Sequence, residues 1–402
     1  MANLVHDILK IPGRLLREIK CASEYLYYKT IYHASPLPID CFQRRLLICG
    51  GEDLKIAVEH FRKTFPQQID EKIKEADLIC EHIFDLLGSG STKLSNDGEG
   101  YQSIDWHSDF KAKYRWKPNT FYKYIKYGHI KGVDIKVPLE LSRFRHLNLL
   151  GQAYILTGNK KYKEEFINQI IDWIDANPVA FGVNWFCTMD AAIRVANWLV
   201  AKEFFEESTL PKEFLEKLYK SIYEHGKFIR NHLEYSPKLT TNHYIADLAG
   251  LFFIAIYCPF LIESAFWQKF CIYELSQEIQ KQVYEDGCDF EASTSYHRLV
   301  LEMLFYCELL GKRAGVEFPK IHSEKVRKMF EFSLYCIKPN GKIPQIGDND
   351  NGRYLIFSSR PVLEHKYLLS LATIYYKGSE FKPIEFSFDC ISSDLLGHFG
   401  VI

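Results

Sequence analysis
The chain has 402 residues, enough for two or three domains of ordinary size or one large one. Hydrophobic residues make up 47% and charged residues 25%, which excludes a disordered chain, a collagen-like fibre and a simple coiled coil. Fifty Lys and Arg stand against 51 Asp and Glu, so no basic excess draws the chain to nucleic acid or an anionic membrane, and an acidic ligand needs a local basic pocket.

Aromatic residues reach 15%, which predicts a large aromatic core. The 11 cysteines are scattered, with no CxxC pair. Most sit in apolar runs, as Cys258 does in FFIAIYCPF, and read as reduced core residues in a reducing compartment. No thiol zinc site is expected from their spacing. The N-terminus is amphipathic and lacks the pattern of a secretory signal, so cytoplasmic placement is the expectation. No run of 18 apolar residues occurs, so no transmembrane segment is expected.

Residues 1–50 read as an N-terminal extension, with an amphipathic helix followed by a Pro-containing stretch. Leu54, Val58 and Phe61 then mark one helix, and Ile69, Ile73, Ala76, Ile79, Ile83 and Leu86 mark the next, ending at the Gly-Ser-Gly of 88–90. Residues 89–117 are turn-rich and carry IDWH. Helical periods recur at about 140–157, 161–176, 186–206, 212–236, 241–258, 263–284, 291–315 and 321–336. Strand signals come late, as YLIFSS at 354–359 and FSFDCIS at 386–392. With no fixed-length repeat, the expectation is a mainly all-α chain, an incomplete (α/α)5-6 toroid of antiparallel hairpins with short β-strands near the C-terminus.

Five segments could carry chemistry. In VPLELSRFRHL, Arg143 and His146 share a helix face, either as solvated charges or as a cationic wall for an anion. In NWFCTMDAAIRVANW, Asp190 and Arg194 are four apart and read as a buried structural ion pair, while Trp185 is a candidate sugar platform. In TTNHYIAD, Thr241 or Asn242 would cap a very apolar helix, but capping leaves the adjacent Asn242 and His243 unexplained. In DGCDFEASTSYHR, Tyr296, His297 and Arg298 lie in the first turns after a loop. The fifth, PQIGDNDNGR with Asp348, is a carboxylate-rich loop whose spacing does not fit an EF-hand.

Taken in order, IDWH, KVPLELSRFRHL, NWFCTMDAAIRVANW, TNHYIADLAGL, QVYEDGCDFEASTSYHRLVLE and PQIGDNDNGR resemble the heparinase II/III family of polysaccharide lyases over about residues 100–353. The resemblance implies a toroid at 51–352 and a C-terminal antiparallel β-sandwich, and a carbon–oxygen lyase that cleaves a uronate-containing acidic glycan by β-elimination. It implies Asn242 as the group that neutralises the uronate carboxylate, with His243 beside it, and Tyr296 as base, acid or both. A phenol ordinarily ionises near pH 10, so cationic neighbours such as Arg298, His297 and His243 would have to favour the phenolate. Arg143, His146, Trp185, Arg194, His297, Arg298 and Asp348 are then expected to bind substrate. No metal is expected in the chain, since a structural metal in this family belongs to the sandwich. Residues 353–402 are expected to be the start of a truncated or vestigial sandwich, and no residue is carried over for the catalytic His that the family places there. The resemblance also implies a periplasmic location. Two further readings stay open on the residues alone. One is a toroid glycoside hydrolase using two carboxylates among Asp190, Asp286, Asp289 and Glu291, and the other is a non-catalytic glycan-binding or assembly module.

Overall fold
The computed structural model describes residues 13–31, 45–48, 50–95, 100–357, 360–377 and 379–381. Thirteen α-helices occur among them: α1 (Gly13–Leu26), α2 (Gly51–Thr64), α3 (Pro66–Cys80), α4 (Lys136–Leu141), α5 (Leu147–Thr157), α6 (Lys160–Ala176), α7 (Thr188–Lys202), α8 (Lys212–Asn231), α9 (Asn242–Tyr257), α10 (Ser264–Gln282), α11 (Thr294–Arg313), α12 (Lys320–Cys336) and α13 (Lys366–Tyr376). None is long and apolar enough to cross a membrane.

Five helix pairs, α2–α3, α5–α6, α7–α8, α9–α10 and α11–α12, form successive hairpins. One member of each later hairpin also touches the next hairpin's equivalent: α5 packs on α7, α7 on α9, and α9 on α11. These inner helices are buried nearly all round, as a helix enclosed on every side must be. The outer helices are amphipathic. On α8 the buried positions Phe214, Leu215, Leu218, Tyr219, Ile222, His225, Phe228 and Ile229 recur at three- and four-residue steps. The result is an arc of hairpins, the expected incomplete toroid.

The tightest crossing is between α7 and α9. A Cβ at Gly250 would lie 2.6 Å from the Ala192 Cα and 2.7 Å from the Ala192 carbonyl oxygen, so only glycine lets the two backbones approach this closely.

Several boundaries differ from the sequence reading. The helix expected to reach 88–90 ends at Cys80, and Ile83 and Phe84 instead form strand β1, paired with β2 (Thr92–Lys93). A second two-stranded ladder joins β3 (Ser108–Asp109) to β4 (Tyr114–Arg115). Short strands thus lie early in the chain, and 354–357 forms no strand. The other late strand signal, at 386–392, lies outside the described residues. The helix expected at 140–157 is split into α4 and α5 because Phe144 adopts a left-handed backbone with φ 56°. Its fully buried ring packs 5.0 Å from Trp106 and 5.5 Å from Trp198, and that burial holds the strained residue in place.

Candidate active site
The N-termini of α7, α9 and α11 meet at one end of the arc. Glu234 accepts a hydrogen bond from the Met189 N–H near the start of α7 (3.1 Å), and its other oxygen lies 2.5 Å from the His243 Nδ1 at the start of α9. Glu291, just before α11, accepts from the Asn242 backbone N–H (2.9 Å) and from its side-chain Nδ2 (2.8 and 3.0 Å). Thr241 caps α9 by accepting from the His243 N–H, which leaves the Asn242 side chain to Glu291. Ser293 caps α11 by accepting from the Ser295 and Tyr296 N–H groups, which fixes Tyr296 in the first turn. The Ser293 hydroxyl also donates to the Asp348 carbonyl, so the cap holds the 344–353 loop against the helix. The loop turns at Gly347 with φ 69°, where a Cβ would meet the Ala292 carbonyl at 2.7 Å.

The Tyr296 hydroxyl is the centre of that contact. It reaches Asp348 Oδ2 at 3.4 Å and Asp350 Oδ2 at 3.5 Å. Burial raises its pKa above the ordinary phenol value, and the Asp350, Asp348 and Glu291 carboxylates raise it further. The phenol is therefore held protonated. The cationic neighbours expected from the sequence do not face it. His297 points from the opposite side of α11 to the Met329 carbonyl and the Ser333 hydroxyl, both at 3.1 Å, and burial pushes its pKa down to about 4. Arg298 is buried and donates to the Val362 carbonyl, Asn351 Oδ1 and the Gly352 carbonyl. It fixes the far side of the acidic loop and does not line a cleft.

Arg143 lies in the break between α4 and α5 and closes the site from the other side. Its Nε donates to Asp190 Oδ1 at 2.5 Å and its Nη1 to Glu140 Oε2 at 3.0 Å. Burial opposes ionisation of Asp190, but the Arg143 charge outweighs it and keeps that carboxyl below its usual range. Asp190 thus pairs with Arg143, which corrects the expected Asp190–Arg194 ion pair. Arg194 points the other way, into the core. Its Nε donates to His225 Nε2 (2.9 Å), and its Nη groups donate to the carbonyls of Ser142 (3.3 Å) and Asn184 (3.1 Å). Since the guanidinium can only donate, His225 Nε2 accepts, and His225 Nδ1–H donates to the Ser221 carbonyl. The Arg194 plane lies 4.1 Å from the Trp173 ring centre, and burial lowers its pKa to about 9. An i,i+4 spacing permits a pair; here neighbouring acceptors and two tryptophans captured the arginine instead.

Two more sequence expectations fail on the surroundings of the side chain. Trp185 is 1% exposed, stacks near His225 and donates to the Asn177 carbonyl, so it offers no sugar platform. His146 bonds to Gln169 Oε1 at 2.7 Å beneath Phe84, and burial pushes its pKa down to about 4, so it adds no positive charge. The structure brings together Asn242, His243, Tyr296, Arg143 and Asp348. It sets Arg194, Trp185, His146, His297 and Arg298 behind them as packing and support.

Glu234 and Asp350 were missed as site residues. Glu234 sits in the polar stretch HLEYSPKLTTNH, where nothing marks one carboxylate above another. For Asp350 the repeated Asp and Asn of the loop was the available signal. His243 is paired to Glu234: burial opposes its charge, the Glu234 carboxylate outweighs that, and the imidazole pKa rises above its usual value.

A family model described as heparinase II/III N-terminus matches residues 58–361. The chain is 25% identical over 258 residues to a heparin-sulfate lyase of Pedobacter heparinus, covering 60% of this chain and 38% of that one. It is 26% identical over 300 residues to a heparin-sulfate lyase of Bacteroides stercoris, covering 68% of this chain and 40% of that one. The chain therefore spans about two fifths of the length of these relatives. A solved structure of heparinase III superposes with a TM-score of 0.51 at 18% identity, over 85% of this chain and 48% of that one, a likeness of fold. With the family model covering most of the chain, this protein belongs to the heparinase II/III family.

Proposed function
We propose that the chain is the catalytic toroid of a lyase that cleaves an acidic glycan by β-elimination beside a uronate. The observation that carries this reading is that Asn242 and Tyr296 stand at the starts of adjacent inner helices, with Glu291 hydrogen-bonded to Asn242 and its charge felt by the Tyr296 phenol. Elimination removes the proton next to a carboxylate, and the carbanion is tolerable only when that carboxylate is neutralised. The Asn242 amide already binds a carboxylate, that of Glu291. A substrate uronate would exchange with Glu291 on Nδ2. Three inner-helix N-termini add positive potential at the same end of the arc, which suits an anionic chain. Arg143 and His243 stand beside them, each paired to a carboxylate.

Tyr296 has the second role. As a phenolate it takes the proton next to the carboxylate, and as a phenol it returns one to the leaving glycosidic oxygen. The resting site favours the phenol, so access to the phenolate limits the rate at neutral pH. Substrate class follows from the heparin-sulfate lyases among the relatives and from the carboxylate chemistry of Asn242.

The test is ultraviolet absorbance of unsaturated uronate during incubation with heparan, hyaluronan, chondroitin or alginate chains. The unaltered chain should produce it, and Tyr296→Phe should lower the rate at least 100-fold, the lower end of what a positioned acid or base contributes, while glycan binding persists. New reducing ends that form without that absorbance, survive Tyr296→Phe and are lost in Glu291→Gln or Asp289→Asn would instead assign hydrolysis.

A further inference from the structure
The same end of the arc holds a second group of side chains, two of which, Cys187 and Glu234, the elimination chemistry does not use. Cys187 precedes α7, Glu234 follows α8, and His243 opens α9. Their ligand atoms all lie within 4.8 Å of one another. Cys187 Sγ is 3.3 Å from Glu234 Oε1 and 3.9 Å from His243 Nδ1, and Glu234 Oε2 is 2.5 Å from that same Nδ1.

We propose that Cys187, Glu234 and His243 form a binding site for a divalent cation of the zinc class, with one coordination position open toward solvent. Zinc bonds to sulfur, nitrogen and oxygen set tetrahedral edges of about 3.5 Å from sulfur to either other ligand and about 3.3 Å between nitrogen and oxygen. Both sulfur distances are near these values. The nitrogen–oxygen pair opens by about 0.8 Å when a cation replaces the shared proton. A thiolate, imidazole and carboxylate set selects zinc-like ions over magnesium or calcium, which take all-oxygen cages.

The surroundings support a site with a single open face. The Glu234 carboxylate is aimed by the Met189 N–H, and the Glu234 backbone N–H donates to Asp247 Oδ2 at 2.6 Å. Asp247 is fully buried and its other oxygen has no hydrogen-bond partner, which leaves an unused oxygen behind the cluster. Asp190 adds another carboxylate, already matched by Arg143. The His243 side chain is 43% exposed and that of Glu234 29%, which puts the open position on the cleft side. Binding releases the Cys187 thiol proton and the proton shared by His243 and Glu234 to buffer, and the cation's two charges balance the thiolate and the carboxylate.

This inference does not depend on the lyase reading, because its readout is the metal. The full chain, stripped with a chelator, is titrated with Co2+ and then Zn2+. One equivalent of Co2+ should bind saturably, with a thiolate-to-cobalt charge-transfer band that Zn2+ abolishes. Cys187→Ser should lose the band. His243→Ala should weaken Co2+ binding by about tenfold or more, at least the loss that follows removal of an outer partner of a metal ligand. Absence of one-equivalent binding by the unaltered chain, or an unchanged band in Cys187→Ser, overturns the site. Should Cys187→Ser fail to fold, the exposed His243→Ala carries the test, and unchanged affinity there overturns the site equally.

Discussion

In the lyase proposed above, Tyr296 concentrates the chemistry in one hydroxyl, and its neighbours set when that hydroxyl can work. Beyond burial, Asp350 and Asp348 both oppose the phenolate. Asp350→Asn removes one carboxylate and should lower the Tyr296 pKa toward its ordinary value. If Tyr296 must ionise to take the proton, the rising alkaline limb of the rate profile moves to lower pH in Asp350→Asn. A limb that stays in place would show that a group other than Tyr296 sets it. Lys136 contacts the same Asp350 at 3.7 Å, but it is exposed and screens the carboxylate only weakly. Arg194 illustrates the opposite use of a charge. It is fully buried, sandwiched by tryptophans, and holds the carbonyls of Ser142 and Asn184, which flank Arg143 and the start of α7. It therefore positions Arg143 through the adjoining backbone.

At the scale of elements, the site depends on how closely the inner helices pack. Asp190 rides on α7 and Asn242 on α9, and the Gly250–Ala192 crossing holds these two helices together. Gly250→Ala places a methyl against backbone atoms that no rotamer change can move. It should destabilise the fold by about 3 kcal/mol, the upper range for overpacking a core, measured as a lower denaturation midpoint with an unchanged slope. A loss under 0.5 kcal/mol would mean that the helices slide apart without strain. The exposed faces of the outer helices tolerate polar residues of many sizes.

For the whole molecule, the N-terminal helix α1 is tied to the arc by Glu24. Its carboxylate accepts from Tyr122 at 2.8 Å, lies 2.5 Å from His232 Nε2 at the end of α8, and pairs with Lys123. Burial opposes ionisation, but these three partners outweigh it and hold the Glu24 pKa at about 2, against an ordinary 4.5. A depressed carboxyl pKa stabilises the fold above its unfolded value, and the benefit is lost as pH falls from about 4.5 through 2. Glu24→Gln should therefore cost about 1 kcal/mol at neutral pH, as suits a partly exposed pair, and the gap between the two melting curves should close as pH falls from 5 toward 2. A gap that persists at pH 2 would assign the loss to packing.

How much of this was legible in the chain depends on the range of the interaction. Helix positions at 3.6-residue period, the Thr241 and Ser293 caps, and the mainly helical class all arise from contacts a few residues long, which sequence spacing encodes directly. The placement of Asn242 and Tyr296 at helix starts was legible too, because each sits in a short motif beside a cap. The partners of charged residues were not. Asp190 and Arg194 share a spacing that permits pairing, yet Arg143, 47 residues away, took Asp190, and His225 took Arg194. The Cys187, Glu234 and His243 cluster is invisible for the same reason, with separations of 47 and 9 residues that match no metal motif. Burial of Trp185 and His297 was equally hidden, since an aromatic or histidine near a loop reads the same whether it faces the cleft or the core. The sequence by itself determined the helices and the end of the arc where chemistry gathers. The tertiary structure alone decided which charges meet, because a buried ion pair forms wherever packing brings a counter-charge within reach, at any distance along the chain.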